Sequence, residues 1–162
     1  MITKIGNKKQ YKPYATDGKT SVVMWDFQPV IKNGVETEIG TWKIERFNKV
    51  MLFADVKEFI LDYYNQKIDE KILSGMMWNG MKVWLSSENQ FNYKAAYDLA
   101  VQTNGANLPV VFKFGETHEP QYYKFTNMEE FSDFYMKTMA YIQKTLAEGW
   151  EFKDSINWEV YE

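Results

Sequence analysis

The chain has 162 residues, enough for one domain, and no cysteine, which excludes disulfides, thiolate metal sites and a cysteine nucleophile. Its 19 basic and 22 acidic side chains give a net charge of −3, which excludes a strongly charged polyelectrolyte. The single histidine, His118, excludes a histidine-rich metal site. Aromatic residues make up 17% of the chain, and such side chains belong in a core or at an interface.

The first 18 residues are basic, with four lysines against one aspartate, and Tyr11 and Tyr14 lie among the lysines. They contain no apolar core of a signal peptide, and no apolar stretch approaches the roughly 20 residues that cross a bilayer. We therefore expect a chain that is made in the cytoplasm, is not secreted and has no membrane partner. Residues 1–18 are predicted to be a flexible arm that contacts nucleic acid or an acidic partner, or else a frayed terminus kept soluble by lysine. Residues 19–162 are predicted to form a single compact domain, without nucleic-acid contacts.

An antiparallel hairpin is predicted from about residue 20 to residue 47. Asn33-Gly34 supplies two residues that tolerate positive φ, as a type I′ turn requires. In the register that this turn sets, Trp25 lies opposite Trp42 and one face of the hairpin is apolar. Pro29 donates no backbone hydrogen bond, which predicts an edge position or a bulge there.

A helix is predicted from Asp55 to about Ser74, and a second hairpin follows it around the turn Asn79-Gly80. Met77 and Trp84 lie on one face of this hairpin. The opposite face carries Met76, Trp78, Met81 and Val83. Because both faces are apolar, the hairpin is either covered on both sides or leaves one face for a partner.

A second helix is predicted to begin at Ser87 and to end at Asn104-Gly105. Its buried stripe is predicted from the apolar residues that recur at four-residue steps. These are Phe91, Ala95 and Leu99.

A third hairpin is predicted to pair residues 109–114 with residues 121–125 across a six-residue loop. Thr126 and Glu129 form a capping box that predicts the start of the third helix, and Gly149 is predicted to close that helix. The predicted fold class is therefore α+β, with antiparallel β-hairpins alternating with three α-helices in ββα-like units.

Glu116, His118 and Glu119 form the one compact cluster of potential metal ligands or acid–base groups. A hairpin loop holds side chains too loosely for either role, and neither a glycine-rich phosphate loop nor a Gly-x-Ser-x-Gly elbow occurs. We therefore predict no catalytic residue, no metal ligand, no cofactor and no enzymatic activity. A small glycoside hydrolase stays an alternative, because it needs only two carboxylates and the sequence cannot show which ones pair.

Large apolar and aromatic side chains outside the predicted core are candidates for a partner interface. The candidates are Met77, Trp84, Tyr11, Tyr14 and Tyr122. Aromatic side chains bind sugar rings as well as proteins, so a carbohydrate-binding receptor-recognition module at a fibre tip is a second alternative, with a glycan as its partner.

Two segments carry a resemblance to a known family. One is Trp-Leu-Ser-Ser-Glu-Asn-Gln-Phe-Asn-Tyr, which begins at Trp84, and the other is the final helix from Phe131 with its exit Lys-Asp-Ser-Ile-Asn-Trp, which begins at Lys153. Together, over residues 64–158, they resemble an uncharacterised domain that recurs in tailed-bacteriophage and prophage tail-fibre-type and tail-associated proteins. The resemblance brings no catalytic motif and implies a location in the virion. We therefore expect a structural or adaptor subunit of the tail, fibre or head–tail connector. Its expected partners are other virion proteins and copies of itself in a symmetric oligomer.

Overall fold

The structure, a computed structural model, describes residues 2–162, and within them eight strands and three α-helices alternate along the chain. All strand pairs are antiparallel, which confirms the predicted α+β class. The chain divides into two compact units. Residues up to Tyr63 form the first unit together with residues 155–162, and residues 64–154 form the second. No helix within residues 2–162 has the length and apolar character that crossing a bilayer requires.

The first unit is built on a four-stranded antiparallel sheet in the order β1-β4-β3-β2. Its elements are strands β1 (Ile2–Asn7), β2 (Tyr14–Thr16), β3 (Ser21–Lys32) and β4 (Val35–Phe47), the first part of helix α1 (Phe53–Leu73), and a 3₁₀ helix (Trp158–Tyr161). The prediction of a separate flexible arm over residues 1–18 is wrong, because β1 pairs with β4 and β2 pairs with β3. The backbone N–H and C=O groups of β1 and β2 are paired with those of neighbouring strands. The charge pattern of the sequence carries no sign of this pairing.

The hairpin of β3 and β4 has the predicted turn but a different register. Asn33 and Gly34 have φ values of 53° and 77°, as a type I′ turn requires. Trp25, however, lies opposite Lys43 rather than Trp42. The pairing shifts between Trp25 and Gln28 and again on the other side of Pro29, which confirms a bulge near that proline.

The bulge at Asp26 places two consecutive residues of β3 against helix α1. Asp26 has a φ of 53°, so the strand bends there. The Tyr63 hydroxyl donates a hydrogen bond to Asp26 Oδ2 at 2.8 Å, and the Tyr63 ring lies 5.4 Å from that of Trp25. Phe59 also meets the Trp25 ring edge-on at 4.9 Å. Two consecutive residues of β3 thus contact the same helix, which a regular strand cannot provide.

The second unit holds the rest of α1 and two hairpins, each followed by a helix. Its further elements are β5 (Met76–Trp78), β6 (Met81–Val83), α2 (Ser87–Gln102), β7 (Val110–Glu116), β8 (Glu119–Phe125) and α3 (Met128–Asp154). The inward side chains of both hairpins and of α2 and α3 form one core that is dominated by aromatic rings. Its most buried large members are Trp78, Tyr93, Phe114, Phe125, Phe131 and Phe134. Most of the surplus of aromatic residues in this unit is therefore structural.

The predicted buried stripe of α2 is wrong. Phe91 is 70% exposed, and Leu99 is exposed as well. Tyr93 and Ala100 are buried instead. The helix has two apolar stripes at the same three- and four-residue spacing, and periodicity alone does not show which of them faces the core. The N-cap is Ser86, one residue before the predicted helix start.

The predicted end of α3 is also wrong, because the helix continues through Gly149 to Asp154. A Cβ at Gly149 would collide with the side chain of Ile68 on α1. The glycine therefore permits two helices to approach closely, rather than supplying a left-handed residue at a helix end. At the other end Asn127, rather than Thr126, caps the helix, since its Oδ1 accepts a hydrogen bond from the backbone N–H of Glu130 at 2.9 Å.

Candidate interaction surface

The outer side of the two hairpins in the second unit has a regular pattern of side chains. Because neighbouring residues of a strand point to opposite faces, the residues between the core positions face outwards. Apart from Gly115 with Pro120, each outward cross-strand pair joins one lysine to one apolar or aromatic residue. The pairs are Met77 with Lys82, Tyr122 with Lys113, and Val111 with Lys124. We call these six residues, together with Trp84, the strand face.

Two large side chains of the strand face are open to solvent. Met77 is 61% exposed and Tyr122 is 71% exposed. The opposite side of the same hairpins is buried, as Trp78 and Phe114 show. The β5–β6 hairpin is thus covered on one side only. Large exposed apolar side chains on the uncovered side of a hairpin make that side a candidate contact surface.

Trp84 joins the two halves of the strand face and is held at three points. Its indole Nε1 donates a hydrogen bond to the backbone oxygen of Gly115, at 2.7 Å, at the far end of β7. Its own backbone oxygen accepts hydrogen bonds from Asn89 Nδ2 at 3.1 Å and from the Tyr93 hydroxyl at 3.3 Å. The Lys82 ammonium lies 5.1 Å from the centre of the indole ring, within the range of a cation–π contact. One side-chain hydrogen bond and one cation–π contact therefore hold the half-buried ring.

A cleft of about 330 Å³ opens beside this tryptophan. Its lining combines the ring of Trp84 with the amide of Asn89, the ammonium of Lys113 and the carboxylate of Glu116. An aromatic platform beside donors and acceptors of hydrogen bonds can hold a polar side chain or a sugar ring.

The structure brings three of the five predicted interface residues together. Met77, Trp84 and Tyr122 lie on the strand face, whereas Tyr11 and Tyr14 belong to the first unit and have local structural roles. The Tyr11 ring fills the space above Gly6, where a Cβ would collide with it. The Tyr14 hydroxyl donates a hydrogen bond to a backbone oxygen, that of Met51, at 2.6 Å.

Sequence reasoning missed the lysines and Val111 of the strand face. For Lys82 the signal was present, because the Asn79-Gly80 turn fixes its position opposite Met77. For Lys113 and Lys124 it was present too, because a loop over residues 115–120 already places Phe114 opposite Gln121 and hence Lys113 opposite Tyr122. The structure has a tighter turn, with Glu116 opposite Glu119, which extends both strands in that same register.

Glu116, His118 and Glu119 lie exposed at this turn, with only Thr117 and His118 outside the strands. Within residues 2–162 the structure brings no three histidine, aspartate or glutamate side chains into a group that could hold a metal ion.

No family model, curated protein or solved structure matches this chain. The strand face is therefore interpreted from its own residues. They offer apolar contact area, one hydrogen-bonded indole ring and three ammonium groups.

Proposed function

We propose that the chain is a non-enzymatic structural or adaptor subunit of a tailed-phage virion, and that it acts through protein–protein contacts of the strand face. The observation that carries the proposal is the exposure of Met77 and Tyr122 beside an anchored Trp84. Methionine, tyrosine and tryptophan are enriched in the centres of protein interfaces. The setting comes from the resemblance to tail-associated phage proteins, whose range, residues 64–158, includes the whole strand face.

The fixed geometry of Trp84 supports a role in binding. A side chain that is already ordered loses little conformational entropy when a partner binds, so more of the contact energy appears as affinity. The indole Nε1 hydrogen bond to Gly115 holds the ring, and two hydrogen bonds to the backbone oxygen of Trp84 hold its main chain. A side chain that only covered the core would not need to present a ring at the edge of an open cleft.

Carbohydrate binding is a second candidate because of that cleft. Trp84, Asn89 and Glu116 line it together, and this combination of ring, amide and carboxylate is suited to a sugar. A glycan array separates the two proposals. Binding of a defined glycan that is lost in Glu116→Gln would favour the carbohydrate module over the protein contact.

The protein contact is tested by Tyr122→Ala. We expect this variant to associate with its partners or with itself at least about tenfold more weakly, because an exposed interface ring is lost. Its free energy of unfolding should stay within about 0.5 kcal/mol of the parent value, since the ring is 71% exposed. Light scattering over a concentration series and the amount of tagged protein incorporated into phage particles measure association, and urea denaturation measures stability.

Phe91→Ala is the matched control, because this ring is 70% exposed but lies on α2. We expect it to leave association unchanged. If Phe91→Ala abolished association and Tyr122→Ala did not, the contact surface would be the outer stripe of α2, and the proposed role of the strand face would be wrong.

A further inference from the structure

We propose that the partner of the strand face is an acidic protein segment, whose carboxylates pair with Lys82, Lys113 and Lys124. Its apolar side chains would pack against Met77, Trp84 and Tyr122. This inference rests on the proposed function, because it names the chemistry of the partner for the same surface.

The first argument is the distribution of unpaired positive charge. The second unit contains nine lysines and twelve acidic residues. Five of the six lysines on its helices form ion pairs with carboxylates. These pairs are Lys67 with Glu70, Lys71 with Glu148, Lys94 with Asp98, Lys137 with Asp133, and Lys144 with Glu148. The sixth, Lys153, donates a hydrogen bond to Asn65 Oδ1. Within the described part of the second unit, the three strand-face lysines have neither a carboxylate nor an amide partner, so their ammonium groups are open to a partner's carboxylates.

The second argument is the alternation of charge and apolar surface. Three of the four outward cross-strand pairs contain one lysine and one apolar or aromatic residue, the exception being Gly115 with Pro120. A lysine stem can cover a neighbouring apolar group while its ammonium stays in water. The Lys82 ammonium itself lies over the Trp84 ring, 5.1 Å from its centre. A partner that covered this surface with apolar groups alone would bury three unpaired ammonium groups, at a high desolvation cost. Carboxylates at matching positions remove that cost.

The surface favours an acidic protein over a nucleic acid. The unit contains no arginine, the residue best suited to phosphate and base recognition, and the chain has only Arg46, in the first unit. Glu116 and Glu119 stand at the end of the β7–β8 hairpin and would repel an acidic segment there. They therefore mark one boundary of the binding site.

The test uses the full chain and a fluorescein-labelled copolymer of glutamate and tyrosine, which supplies acidic and aromatic side chains without a defined sequence. Fluorescence anisotropy is measured at about 50 mM and about 300 mM NaCl. We expect binding at the lower salt concentration and about tenfold weaker binding at the higher one. We expect the triple variant Lys82→Gln, Lys113→Gln and Lys124→Gln to bind at least about tenfold more weakly.

The matched control is the triple variant Lys94→Gln, Lys137→Gln and Lys144→Gln, which removes the same charge from the helices. It should bind the copolymer within about twofold of the parent, since these lysines already have partners and exposed pairs contribute little to stability. Equal losses in both triple variants would show an effect of net charge and overturn the inference. A labelled oligothymidylate that bound as well as the copolymer would replace the acidic protein with a nucleic acid.

The inference and the proposed function can fail separately. If the parent chain did not bind the copolymer but Tyr122→Ala still lost its place in phage particles, the acidic partner would be wrong and the contact surface would stand. If Tyr122→Ala assembled normally, the proposed function would fail whatever the copolymer showed.

Discussion

Replacing Trp78 with alanine is expected to lower the free energy of unfolding by about 3–5 kcal/mol, the usual cost of emptying a large buried aromatic site. Trp78 is buried on the inner side of the β5–β6 hairpin. Its ring lies 5.0 Å from that of Tyr123, 5.3 Å from that of Phe134 and 5.4 Å from that of Phe125. This one substitution therefore removes the ring that packs β5 against both β8 and α3.

The indole N–H of Trp78 adds a hydrogen bond to this packing. It donates a hydrogen bond to Asp133 Oδ2 at 3.1 Å, on α3. The Lys137 ammonium, together with this N–H, holds the pKa of Asp133 below its usual value. Trp78→Phe keeps much of the ring and loses the hydrogen bond, so it should cost less than the alanine variant, about 1–2 kcal/mol.

Urea denaturation of both Trp78 variants gives the comparison, with Trp84→Ala as a third. The Trp84 ring is half-buried and has one side-chain hydrogen bond, so its removal should cost less than that of Trp78. Equal losses for Trp78→Ala and Trp84→Ala would mean that both sides of the hairpin are covered, which would contradict an open strand face.

Gly75→Ala is expected to lower the free energy of unfolding by about 2–5 kcal/mol, the sum of a left-handed alanine and an overpacked site. Gly75 has a φ of 79°, and a Cβ there would collide with the backbone oxygen of Val83 and lie 3.0 Å from its carbonyl carbon. Backbone atoms of a paired strand cannot move aside as a flexible side chain can. The substitution should therefore displace the whole β5–β6 hairpin.

Gly80→Ala is the matched control for conformation, since Gly80 has a φ of 75° but has nothing within 4 Å of its Cβ position. It should cost only the left-handed conformation, about 1–2 kcal/mol. Comparing the two variants by thermal and urea unfolding separates the cost of the left-handed conformation from the cost of the steric collision. If the Gly75→Ala variant were as stable as the Gly80→Ala variant, the backbone of Val83 would not lie against Gly75, and the account would be contradicted.

The sequence predicted those parts of the fold whose cause is local. Asn33-Gly34 and Asn79-Gly80 are turns because their residues accept positive φ, and the structure confirms both. Other features depend on distant residues. The bulge at Asp26 is stabilised by Tyr63, and Gly149 is small because Ile68 lies against it. Neither distant partner can be read from the local sequence.

The same distinction applies to the strand face. Met77 and Trp84 were predicted on the outer face because a two-residue turn fixes their register. Lys113 and Lys124 alternate with core residues in strands whose register the predicted loop already gives, but a single lysine on a strand is also typical of an ordinary solvent-facing position. For Tyr11 and Tyr14 the basic composition of residues 1–18 predicts a flexible arm, whereas the structure has paired strands on either side of Tyr11.

Oxidation of two methionines tests the strand face most directly. Met77 is 61% exposed on the strand face, and Met136 is 62% exposed on α3, so peroxide should oxidise both at similar rates in the isolated chain. In purified phage particles that contain the chain, mass spectrometry should show Met77 protected and Met136 still reactive. Equal reactivity of Met77 in both states, or protection of Met136 alone, would contradict the assignment of the strand face as the contact surface.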